Sequence, residues 1–188
     1  MKPLISYYFY RLDSFYDFCE SIKQADCIHT KSRPELIIPD IIYLPAAHII
    51  LSGALDEKSA VTEHGSQYER FHDSVRAIKE AAKSNSVKPS ILISLPYVAR
   101  GEALVAFKKS FSSLYELADG FLLQNIGDNE IITELMHNVR RLCINSDTHG
   151  KSCARDNPII AGDYAFNITN SASASFWSGK LKSIAISP

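Results

Sequence analysis

The chain has 188 residues, 46% hydrophobic and 22% charged, with a formal net charge of −1. This is globular composition at a length that can bury a real core. The near-neutral balance argues against a domain that holds nucleic acid by basic excess, and no apolar run approaches the length of a membrane span.

The start, Met-Lys-Pro-Leu-Ile-Ser, has one basic residue, a short apolar run and no small-residue cleavage site, so no secretory signal is read there. The cysteines are Cys19, Cys27, Cys143 and Cys153, and none forms a C-x-x-C pair. They read as unrelated thiols in a reducing cytoplasm. The sharper alternative, Cys143 and Cys153 clipped by a metal or a disulfide, has nothing in its spacing to recommend it.

"PLISYYFYR" (residues 3–11) is rich in β-branched and aromatic residues and predicts a strand. Leu12, Phe15, Tyr16, Cys19 and Ile22 then recur at helical spacing, with Asp13 and Ser14 as caps near the start. "DIIYL" predicts a second strand, closed by Pro45. After a polar stretch, Phe71, Val75, Ile78 and Ala82 share one face of a second helix. "SILISLP" is a third strand, "GEALVAFKKSFSSLYELA" a helix, "DGFLLQN" a fourth strand and "DNEIITELMHNV" its helix. "NPIIAGDYAFN" carries a fifth strand, "SASASFWSG" a short helix and "LKSIAISP" a sixth strand. The strands are expected near residues 4–10, 40–45, 90–95, 120–124, 158–163 and 183–187. The polar run over 145–157 reads as an insertion loop in a single β/α domain covering 1–188.

Short, continuously apolar strands separated by helices predict an α/β fold with a parallel sheet. An open doubly wound sheet and a partial TIM-barrel-like (β/α) barrel both fit. The chain has no G-x-G-x-x-G and no P-loop, which gives the barrel some weight. Six strands do not close a standard barrel, so a fragment, an open fold or an edge covered by a partner is expected, and a bare edge would favour self-association.

In such folds the site lies at the carboxyl ends of the strands. The residues expected there are Tyr10 and Arg11, Pro45 and His48, Pro96 and Tyr97, Gln124 and Asn125, Asp163, Tyr164 and Asn167, and Ser187. From these, Asp163, Asn167, Asn125, Gln124, Tyr97 and Arg11 are the candidate ligand-binding residues, and Asp163 with Asn167 is the favoured pair. Each has a plainer reading. Asn170 suits a helix N-cap, Asn125 suits a turn into Gly127, and Asp163 suits an ion pair with a base such as Arg11. The run Tyr7, Tyr8, Phe9 and Tyr10 suits core and barrel wall rather than a base-stacking platform, because strand residues alternate faces and an inward aromatic fills volume. No metal site is expected, since His64 and His72 are too far apart for an H-E-x-x-H pair.

"LADGFLLQNIGDNEIITEL" resembles a strand–turn–helix of the collagenase-like peptidase family U-32. "DYAFNITNSASASFW" is similar to that family's next unit, an aspartate followed by two asparagines that open a helix, and "SIAISP" to its following strand. "FYRLDSFYDF" and "ISLPYVARGEALVAF" resemble equivalent upstream pieces. The resemblance implies a (β/α) barrel-type domain and, nominally, a hydrolase acting on peptides. Several members of the family act instead in oxygen-independent hydroxylation of RNA bases or quinone precursors, with an iron–sulfur cluster. The cluster's cysteines follow the "SP" strand, so the chain stops short of them and none of its own four is carried over. The resemblance therefore implies one part of a longer parent protein, inactive alone, with no cofactor in this chain and an iron–sulfur cluster in the parent. The alternative is a non-catalytic binding or scaffold module that docks a peptide, an RNA or the rest of its own protein.

Overall fold

The computed structural model describes residues 5–27, 37–56, 61–62, 65–84, 88–96, 101–145, 158–162, 175–176 and 183–184. The fold is α/β, with strands and helices alternating along the chain. The chain divides into two compact units, Met1–Ile91 and Leu92–Pro188.

In the first unit, β1 (Ser6–Tyr8) pairs in parallel with β2 (Ile41–Pro45), Tyr7 opposite Ile42 and Tyr8 opposite Tyr43. The helix α1 (Leu12–Cys27) follows β1, and α3 (Gln67–Ser84) packs along it. The residues at helical spacing in α1, namely Leu12, Phe15, Tyr16, Cys19 and Ile22, are all buried. So are Phe71, Val75 and Ile78 of α3, while the side chain of Ala82 lies outside the described residues. Strand alternation divides the aromatic run. Tyr7 and Phe9 meet Phe18 with ring centroids 5.5 Å apart in each case, and Phe9 meets Phe15 at 5.6 Å. Tyr8 instead contacts Tyr43 at 5.9 Å and Tyr10 at 4.7 Å. Tyr10 is 76% exposed, so the expected core role stops one residue short of it. Phe15 is wholly buried, which by area is worth about 2–3 kcal/mol.

Two pieces of this unit were not expected from the sequence. The helix α2 (Ala46–Leu51) starts directly after Pro45, which sits at its N-cap with φ −75°. Proline is tolerated at helix starts, and six residues are too few to display a helical period. The helix ends in a Schellman closure. Gly53, with φ +73°, donates its N–H to the Ile50 carbonyl at 3.3 Å, and Ala54 donates to Ile49 at 3.3 Å. The second piece is a small antiparallel ribbon, β3 (Val61–Thr62) with β4 (Gly65–Ser66), just before α3. It is separate from the parallel strands.

In the second unit the strand order is β5 (Ser90–Ser94, of which the unit holds Leu92 onward), β6 (Gly120–Leu123), β7 (Ile159–Gly162) and β8 (Ser183–Ile184). Each neighbouring pair is parallel. The helix α4 (Gly101–Leu117) joins β5 to β6, and α5 (Ile126–Asn145) leads from β6 toward β7. Asn145, placed at sequence level in the loop, is the last residue of α5, and 146–157 lie outside the described residues. Phe111 and Tyr115 of α4 stack on Phe121 with centroids 5.2 and 6.4 Å away. The two helices touch, and Lys108 lies 3.9 Å from Glu134. Strands that step the same way across a sheet, joined by right-handed crossovers, put their helices on one face. That face carries Phe121 and Leu123. Ser94, Leu122 and Ala161, matched across three strands, lie on the other.

At Gly120 the β6 and β7 backbones come so close that a Cβ would sit 2.0 Å from the Ile159 carbonyl oxygen. Only glycine fits there. Among the described residues no helix is long and apolar enough to cross a membrane.

Candidate functional site

The polar residues at the strand ends of the second unit are set by register. Ser94 closes β5 opposite Leu122, and Gln124 is the first residue past β6. Period-two alternation puts Ser94 and Gln124 on the same face. The Gln124 amide Nε2 donates to Ser94 Oγ at 2.6 Å. Both side chains are buried, at 7% and 2% exposure, so this bond ties two strand ends in a dry setting. The last matched pair of β6 and β7 is Leu123 with Gly162. The residues that follow these in the chain are Gln124 and Asp163.

Next comes the start of α5. Asn125 stands at its N-cap and Asp128 three residues on. The Asp128 carboxylate accepts three N–H bonds. Oδ2 takes the backbone N–H of Gln124 at 2.8 Å and of Asn125 at 3.1 Å, and Oδ1 takes Asn125 Nδ2 at 2.9 Å. In return Asn125 Oδ1 accepts the Asp128 backbone N–H at 3.2 Å. This is a reciprocal capping box, which satisfies the free N–H groups of a helix start. Asp128 is 1% exposed. Burial raises its pKa above the ordinary carboxylate value, with the bonds from Gln124 and Asn125 acting in the opposite direction.

Arg11 follows β1 in the first unit and pairs with Asp13 at 3.0 Å, both side chains being largely exposed. Asp13 lies within the first turn of α1, which begins at Leu12, so it favours the positive end of the helix but is not its N-cap. His48 is exposed on α2, and Pro96 is half-buried just after β5. Tyr97, Asp163, Tyr164, Asn167, Asn170 and Ser187 lie outside the described residues. The structure thus brings Gln124 and Asn125 together and adds Ser94 and Asp128 to them. The latter two were missed at sequence level. The N-x-x-D spacing of residues 125–128 before an apolar run was the available signal for Asp128, and a serine ending an otherwise aliphatic strand was the signal for Ser94.

Chemically this is a set of neutral donors and acceptors around one buried acid, suited to hydrogen bonding and without an activated nucleophile. Among the described residues no three His, Cys, Asp or Glu side chains gather into a metal site. Cys19 is a free thiol buried in α1, pushed up to about 12 by burial, which makes it inert as a nucleophile at neutral pH.

Compared with protein-family models, with curated proteins and with solved structures, the chain finds no match.

Proposed function

We propose that the chain is the β/α segment of a U-32-type protein, which meets its ligand at the carboxyl ends of β5, β6 and β7 and is not a peptidase alone. The reading takes the strands as part of a (β/α) barrel. Asp163 and Asn167, together with Gln124 and Tyr97, form the ligand-facing set, and Asn125 holds the start of α5 in place. The observation that carries it is the register. Leu123 opposite Gly162 makes Gln124 and Asp163 the next residues of neighbouring strands, at the end of a parallel sheet where such folds bind ligands. The sharing of one face by α4 and α5 supports the barrel part of the reading, since a barrel keeps its helices outside. An iron–sulfur cluster belongs, on this reading, to the parent protein beyond Pro188.

Three measurements test it. Purified chain should leave gelatin and casein intact; steady turnover abolished by one point change in the chain would refute the claim that it is inactive alone. In the parent gene, a glutamate and then a cluster of cysteine codons should follow Pro188; an immediate stop codon sinks the assignment. In the full-length parent, Asp163→Asn and Asn167→Ala should keep the melting temperature and abolish activity. A lowered melting temperature with activity intact would make both residues structural.

A further inference from the structure

A second polar cluster lies in the first unit, where α1 and the start of α3 line a half-open cavity of about 290 Å³. That is the small end of the range for ligand pockets. Two of its lining groups, and a hydroxyl behind one of them, are unspent among the described residues. Ser66, the residue before α3, lines the cavity at 8% exposure, and its Oγ is buried with no hydrogen-bond partner among the described residues. A serine in that place ordinarily spends its hydroxyl on the first-turn N–H groups. Arg70 of the same wall lies with Cζ 4.2 Å above the Tyr16 ring. That stacking orients the guanidinium, and among the described residues its fork of N–H donors has no carboxylate. The Tyr16 hydroxyl below it is likewise buried and unpartnered.

The other charges around the cavity are balanced. Lys23 binds Glu20 at 2.7 Å and Arg76 binds Asp73. Glu69, an exposed residue in the first turn of α3, is the carboxylate of this wall that no base neutralises among the described residues. A guanidinium, a carboxylate and the Ser66 hydroxyl, each without an ionic or hydrogen-bond partner among the described residues, therefore line a small space at the positive end of an 18-residue helix.

We propose that this cavity binds a small zwitterion of the α-amino-acid type. Its carboxylate is held bidentately by Arg70, with the Ser66 hydroxyl and the start of α3 completing the oxyanion's partners. Its ammonium group is met by Glu69. A simple anion would be repelled by Glu69 and a simple cation by Arg70, so the pair selects a molecule carrying both charges. The site does not depend on the strand ends of the second unit.

The test is calorimetric or NMR titration of the whole chain with L-alanine, with acetate, methylammonium and inorganic phosphate as separated halves. L-Alanine should bind saturably, and tighter than any of the three. Arg70→Gln should weaken it by about tenfold or more, and Ser66→Ala by about threefold to tenfold, in line with the loss of a charged and a neutral hydrogen bond. Lys109→Ala, an exposed position on α4, should change nothing. If Arg70→Gln does not fold, Ser66→Ala and Glu69→Gln carry the test. Absence of saturable binding overturns the proposal, as does phosphate or acetate binding better than L-alanine. A crystal grown with L-alanine that shows only a buried water joining Ser66 and Tyr16 overturns it too.

Discussion

Two helix starts in this molecule use the same kind of residue and end in opposite states. At α5 the side chains of Asn125 and Asp128 close on one another and on the backbone, with four bonds between 2.8 and 3.2 Å. At α3 the Ser66 hydroxyl, in the equivalent place, makes none. Both are buried. A buried polar group without a partner costs roughly 1–3 kcal/mol; the first start is finished by the fold, and among the described residues the second is not.

The largest expected effect is on the strand pair that holds the closed start in place. Gly120→Val puts a branched side chain where even a Cβ would lie 2.0 Å from the Ile159 carbonyl oxygen. It should cost about 3 kcal/mol or more in urea unfolding, and a loss under 1 kcal/mol would show that β6 and β7 part readily there. Asp128→Ala should follow, at about 2–3 kcal/mol, because it removes one acceptor group and strands three donors. Ser66→Ala should cost nothing and should raise stability by up to about 1–3 kcal/mol, since it removes a buried hydroxyl that makes no bond. Equal costs at the two positions would erase the contrast between the starts.

A smaller effect is the pH dependence of the closed start. Burial raises the Asp128 pKa in the folded state. A raised folded value means that the native chain holds this proton more tightly than the unfolded chain. Its contribution to stability is then full below the ordinary carboxylate value, about 4, and is lost as pH rises through the raised one. Relative to Asp128→Asn, wild type should lose stability over that interval. Parallel pH–stability curves for the two proteins would remove the claim. The smallest effect belongs to Arg11→Ala. Its pair with Asp13 is mostly in solvent, at 70% and 65% side-chain exposure, and should change stability by less than about 0.5 kcal/mol. A larger loss would mean that Arg11 has a structural partner besides Asp13.

From sequence alone, periodicity located the elements. Phe15, Cys19 and Ile22 repeat at helical spacing and are buried, and "SILIS" and "GFLL" are apolar throughout and form the strands β5 and β6. Burial of one face writes itself directly into residue order, which is why these were legible. The helix α2 escaped because six residues after a proline hold too little periodic signal, and the two-residue strands of the ribbon β3–β4 hold even less. For the site, Gln124 and Asn125 were found because chain order alone puts them at a strand end. Their partners were decided only in three dimensions. Ser94 meets Gln124 across thirty positions of chain, through a register that a one-residue slip would undo. The cavity beside Ser66 likewise exists because α1 and α3 bring Tyr16 under Arg70, a contact between segments far apart in the chain that no local pattern encodes.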